Sequence, residues 1–133
     1  MYDRLSTYSP QALGVLRIVA GLLFLEAGVY HVFGWPTLDY PPPPEMATLL
    51  LIAGWLELVG GLLIIFGYLT RPTAFLLSGM MAVAYWGFHA PANFWPIANM
   101  GGPAILYCFI FLYLVFAGPG AWNLDGTRGN GTK

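Results

Sequence analysis

Charge is what this chain has least of. Of its 133 residues only 8% are charged, five Lys or Arg against six Asp or Glu, while 58% are apolar. An ordinary soluble domain is about 25% charged. A domain this small has a large surface relative to its core and needs polar residues to cover it. There are too few here, so lipid must cover much of the chain. The formal net charge of -1, without clustered Lys and Arg, argues against a nucleic-acid partner. Cysteine is nearly absent. The single Cys108, inside an apolar run, allows neither an intrachain disulfide nor a metal-type spacing and reads as a small packing residue. No glycine-rich phosphate loop after a strand, nucleophile elbow or flavin fingerprint is present.

What the chain does have is four apolar stretches. They predict helices over about 11–33, 46–67, 72–90 and 103–117, and the fold class is an all-α integral membrane four-helix bundle. The fourth stretch is short and needs help from the segments around it. The first is too long for a cleaved signal peptide, carries Arg17 and Glu26, and lacks a small-residue cleavage site. Residues 1–125 then form one transmembrane domain, and 126–133 a flexible cytoplasmic tail, polar and glycine-rich from Asp125 onward. Pro41 to Pro44 form a stiff spacer that cannot continue a helix. Pro72 suits the first position of the third helix. The segment Phe94-Trp95-Pro96-Ile97 is too apolar for an open loop and is expected at the interface or folded back onto the helices.

Orientation follows from the cations. With an even number of spans, Arg4, Arg71, Arg128 and Lys133 share one side and the other side has no Lys or Arg. Positive charge beside spans stays cytoplasmic, which places both termini inside. The opposite side carries Trp35, Tyr40, Trp86, Phe94 and Trp95, an aromatic belt at headgroup depth.

Ionisable residues inside spans are costly and usually face protein or water. Counted along ideal helices from the aromatic side, His31 and His89 lie within one turn of the surface, Glu26 roughly 10 Å down, Glu57 roughly 15 Å and Arg17 roughly 24 Å. On the first helix Gly14, Arg17, Gly21 and Gly28 share a stripe; on the second, Gly54, Glu57 and Gly61 share a face. Glycines seven apart suit a close helix crossing, so Arg17 and Glu57 are expected to form a buried charge pair across it. Glu26 falls on the opposite side of an ideal helix, so either Gly28 lets the helix bend or Glu26 faces a second cavity or a partner chain. His31, His89, Tyr85, Glu26 and Trp86 together offer hydrogen-bonding groups, an acid or base and aromatic walls, the requirements of a quinone head group. Haem b or a metal held by the two histidines is the weaker alternative, because histidines at helix ends are ordinarily solvated or hydrogen-bonded; no metal site is expected.

Several strings, taken together, resemble the DoxX family over nearly the whole chain, from about Leu13 to Asp125. They are Arg17-Ile-Val-Ala-Gly-Leu-Leu-Phe-Leu-Glu26-Ala-Gly28, His31-Val-Phe-Gly-Trp-Pro36, Gly54-Trp-Leu-Glu57-Leu-Val-Gly-Gly61 and Gly67-Tyr-Leu-Thr-Arg71-Pro72. His89-Ala-Pro91, Phe94-Trp-Pro96, Leu106-Tyr-Cys-Phe109 and Gly118-Pro-Gly-Ala-Trp-Asn-Leu-Asp125 extend the match. The resemblance implies a four-helix protein of a bacterial-type inner membrane, associated with quinone-linked redox chemistry alongside other membrane subunits. The chain departs from the family pattern at Ala27, where a histidine is common, at His31, commonly lysine, and at Met80 and Pro103, each in place of a glutamate. Those losses favour an accessory or assembly subunit of a respiratory or photosynthetic redox complex. The alternative is a quinone- or haem-binding component with its own redox site near the outer face. Transport ranks third, since four short helices lack paired broken helices.

Overall fold

The computed structural model describes residues 2–128, and these are helical without a strand. A short α1 (Tyr2–Ser6) leads into α2 (Ser9–Phe33). After the proline spacer and one 3-10 turn comes α3 (Ala47–Phe66). Then follow α4 (Thr70–Ala84), continued by a π-helical turn over Tyr85–His89, the single turn α5 (Pro96–Asn99), α6 (Gly102–Ala117) and α7 (Asp125–Arg128). Two of these are long and apolar enough to cross a bilayer: α2, and α3 counted with its 3-10 turn. Only 33% and 28% of their most apolar windows is buried within the protein, so both turn most of their surface outward, as lipid-facing helices do. α4 reaches comparable length only through the π turn, and the 16 residues of α6 give about 24 Å.

α2 packs on α3 and α4 on α6, with α3 against α4 closing the set. The α2–α3 contact is made by the expected glycines. A methyl group at Gly28 would lie 2.5 Å from Leu58 N, and one at Gly61 would lie 2.8 Å from Leu25 N. Backbone therefore meets backbone, and no side chain fits between. These contacts also set the register. Gly28 faces Gly54 and Leu58 while Gly21 faces Gly61 and Ile65, so α3 begins more than a turn beyond the end of α2.

The core of Ala20, Phe24, Ile64, Leu77, Phe111 and Leu114 sits from mid-height toward the end that carries Arg17 and Arg71. Phe24 meets Phe111 edge-on, ring centroids 4.7 Å apart. The opposite half, with His31 and His89, opens into clefts.

α4 begins at Thr70, two residues before the expected Pro72. The cause is Asp125, whose carboxylate accepts from Leu69 N (2.7 Å) and Thr70 N (3.0 Å) and so holds the start of the helix. Asp125–Arg128 is thus a helical turn where a tail was expected to begin; residues 129–133 lie outside those described.

Candidate functional site

The two ends of the helices carry different polar constructions. At the arginine end, Arg17 is fully buried, and the expected Arg17–Glu57 pair is not what the structure shows. All five guanidinium N–H groups go to main-chain carbonyls. Nε donates to Pro119 O (2.8 Å), Nη1 to Ile64 O and Ile65 O (both 3.1 Å), and Nη2 to Ala121 O (2.9 Å) and Trp122 O (2.8 Å). The last carbonyls of a helix have no partner within it, so Arg17 caps α3 and ties the 119–122 segment to it. Gly67 makes room: at φ +64° it tolerates the left-handed turn, and any Cβ there would strike the guanidinium. Arg71 does the same for α6, donating to Val115 O and Phe116 O. Main-chain bonds from Ala121 N to Pro10 O and Leu124 N to Phe66 O complete the closure. This end is a fastening tied by its own hydrogen bonds, with the buried Thr70 Oγ1 left without a partner among the described residues.

Glu57 instead meets His31 at the other end. Nδ1 of His31 lies 2.6 Å from Glu57 Oε2, with the carboxylate side chain 8% and the imidazole 19% exposed. The physical reason is register. Because α3 starts beyond the end of α2, Glu57 lies level with Gly28, one turn below His31, and Arg17 lies level with Gly67. Gly54, whose absent side chain would meet His31 Cβ, lets the imidazole approach. With Nδ1–H donating to the carboxylate, Nε2 has no partner among the described residues.

His31, Glu57 and His89 line one cleft of about 340 Å³ between α3 and α4, whose other walls include Met80, Met81 and Phe88. His89 donates from Nδ1 to Asn99 O (2.9 Å), and its Nε2 has no partner among the described residues. Its ring stacks on Tyr85 at 23°, centroids 6.4 Å apart. The Ala90 N to Tyr85 O bond (2.8 Å) is the wide i to i+5 turn that ends α4, a distortion frequent at functional sites. Asn99 was not foreseen. It is buried, and its side chain donates to Asn93 O and accepts from Gly101 N, so the loop that holds His89 is itself fixed. The signal available was the second of two amides, Asn93 and Asn99, inside an apolar loop, just before Met100-Gly101-Gly102.

The candidate residues therefore divide. His31 and His89 share the cleft with Glu57; Tyr85 supports His89 from behind. Trp86, 72% exposed, points outward with Trp35, Tyr40, Phe94 and Trp95. Glu26 is exposed on α2 and belongs to a separate groove with Tyr30, His31 and Tyr107.

Comparison with known proteins adds kinship to this geometry. Residues 12–90 match the DoxX family. The chain is 40% identical over 127 residues to an uncharacterized protein of Haemophilus influenzae, spanning 92% of this chain and 95% of that one. It is 35% identical over 118 residues to an inner membrane protein of Escherichia coli, spanning 84% and 87%. An uncharacterized membrane protein of Mycobacterium tuberculosis is 26% identical over 134 residues, spanning 87% and 80%. No solved structure matches the chain.

Proposed function

Because this chain belongs to the DoxX family of membrane proteins, we propose that it spans the inner membrane four times, with both termini cytoplasmic, and holds a quinone-type head group within a redox assembly. Two features support the topology: Arg4 and Arg71 at one end of the helices, and five exposed aromatic side chains at the other. Single cysteines at Pro42 or Pro43, in a Cys108→Ser background, should react with an impermeant thiol reagent on intact cells, and a cysteine near Thr132 should not. The reverse labelling pattern sinks the topology.

The observation that carries the ligand reading is the His31–Glu57 pair opposite His89 on one largely apolar cleft. Small-molecule sites are clefts of this kind, apolar with a few convergent polar groups. The two Nε2 atoms are the groups that would hold the ring oxygens. Glu57 holds the His31 ring by its Nδ1, which turns Nε2 toward the cleft as a hydrogen-bonding group. A quinone, when bound, supplies two-electron redox chemistry. Equilibrium binding of a short-tailed quinone to the detergent-purified protein tests this. His31→Ala and Glu57→Gln should each weaken binding about tenfold or more, the scale of one lost charge-assisted hydrogen bond. Glu26→Gln should leave it unchanged. Equal binding by all four proteins overturns the reading.

A further inference from the structure

Glu26 takes no part in that cleft. It makes no hydrogen bond or ion pair among the described residues, yet it lies seven residues, or roughly 10 Å, from the end of α2. It lines a groove of about 460 Å³ with Tyr30 and Tyr107. A second groove of about 240 Å³ adjoins it, sharing Leu23 and Tyr107 and walled by Leu16, Val19, Leu106 and Ile110. Together they follow the seam between α2 and α6, which meet through Phe24 on Tyr107 and Phe111 and touch little elsewhere. From Leu16 to Tyr30 the seam is about 21 Å long, most of the thickness of a hydrocarbon core. It is apolar except at the height of Glu26. An unpaired carboxylate at such depth is costly, and ionisable side chains in spans pair with one another, with carbonyls or with water.

We propose that this seam takes a transmembrane helix of a different membrane protein, one that presents a Lys or Arg at the height of Glu26. Charge complementarity selects this occupant over a second copy. The buried guanidinium of Arg17 is saturated by five carbonyls and Arg71 is bonded to two, both at the opposite end. Among the described residues a second copy in the same orientation brings no Lys or Arg to this height, and two-fold pairing on the seam would set Glu26 against Glu26. The inference rests on the assembly half of the reading above and not on any ligand in the cleft.

The test uses the full chain in phosphatidylcholine vesicles with a synthetic Leu/Ala helix of about 20 residues, bearing Lys, Leu or Glu about one-third of the way along. Association is read by energy transfer between labelled peptide and labelled protein. The Lys peptide should bind wild type about tenfold more tightly than the Leu peptide, and the Glu peptide least. Glu26→Gln should abolish that preference while the protein stays monodisperse. Leu23→Trp, which fills the seam and keeps the charge, should weaken all three peptides. Glu57→Gln should keep the wild-type preference, which separates this result from any failure in the cleft. Equal binding of Lys and Leu peptides to wild type, or a preference that survives Glu26→Gln, overturns the proposal. So does strong energy transfer between differently labelled copies of the chain that Leu23→Trp removes, since a second copy then occupies the seam.

Discussion

Arg17→Leu is expected to lower the melting temperature in mild detergent by roughly 10 °C or more, or to leave no monodisperse protein at all. The side chain is fully buried and all five of its donors are used. Leucine fills part of the volume but leaves five carbonyls, on two separate stretches of chain, without that donor. Each unsatisfied buried group costs about 1–3 kcal/mol. Some will find other partners as the segment shifts, so the sum stays at several kcal/mol rather than the full total. Arg17→Lys keeps the charge but offers three donors from one point, not a planar fork. It should therefore fall between wild type and Arg17→Leu. A leucine variant that melts within two or three degrees of wild type would show that the carbonyl contacts carry no stability.

The second large effect belongs to Gly28. An alanine methyl there would sit 2.5 Å from Leu58 N, 2.8 Å from Leu58 Cα and 2.9 Å from Gly54 O. All three are backbone atoms, so no rotamer change makes room and the helices must part. Gly28→Ala should destabilise by a few kcal/mol, the cost of overpacking a tight contact. It should also loosen the His31–Glu57 pair, which lies on the same crossing one turn away. Gly79→Ala is the control: nothing lies within 4 Å of its added methyl, and alanine favours helix over glycine by about 1 kcal/mol. Thermal melts of the two variants should move in opposite directions. If Gly28→Ala melts with wild type, the register inferred from the glycine contacts is incorrect.

What could be read from the residues, and what could not, separates along a physical line. Helices and the glycine face are periodic local patterns, so Gly21, Gly28, Gly54 and Gly61 announced the α2–α3 contact before any coordinates. The partner of Arg17 was misread because the residues advertise charges, and the nearest-looking charge was Glu57. Carbonyl oxygens have no letter in a sequence. They become available only where a helix ends or a loop turns, here at Ile64, Ile65 and Pro119 to Trp122. A secondary cue was present in Gly67 and Gly118, which clear space around the guanidinium groups of Arg17 and Arg71. The His31–Glu57 pair was missed for a different reason. Depths counted from helix ends assume flush ends, and α3 rises beyond α2. His31 and Met80, two of the positions that depart from the family pattern, proved to line the same cleft, which no one-dimensional reading could join.

The fastening at the arginine end also has an order in time. Arg17 leaves the ribosome well ahead of its acceptors: Ile64 and Ile65 are 47 and 48 residues later, and Pro119, Ala121 and Trp122 are 102 to 105 later. At the usual ~5–20 residues per second, the first pair follows after roughly 2–10 s and the last three after roughly 5–20 s. For that interval α2 holds a guanidinium whose final partners do not yet exist. Synthesis of the stretch from Gly118 to Asp125 is therefore the step that completes the fold, although it adds no helix to the core. A chain ending before Gly118 contains every long helix and still has an arginine with three of its five donors unanswered.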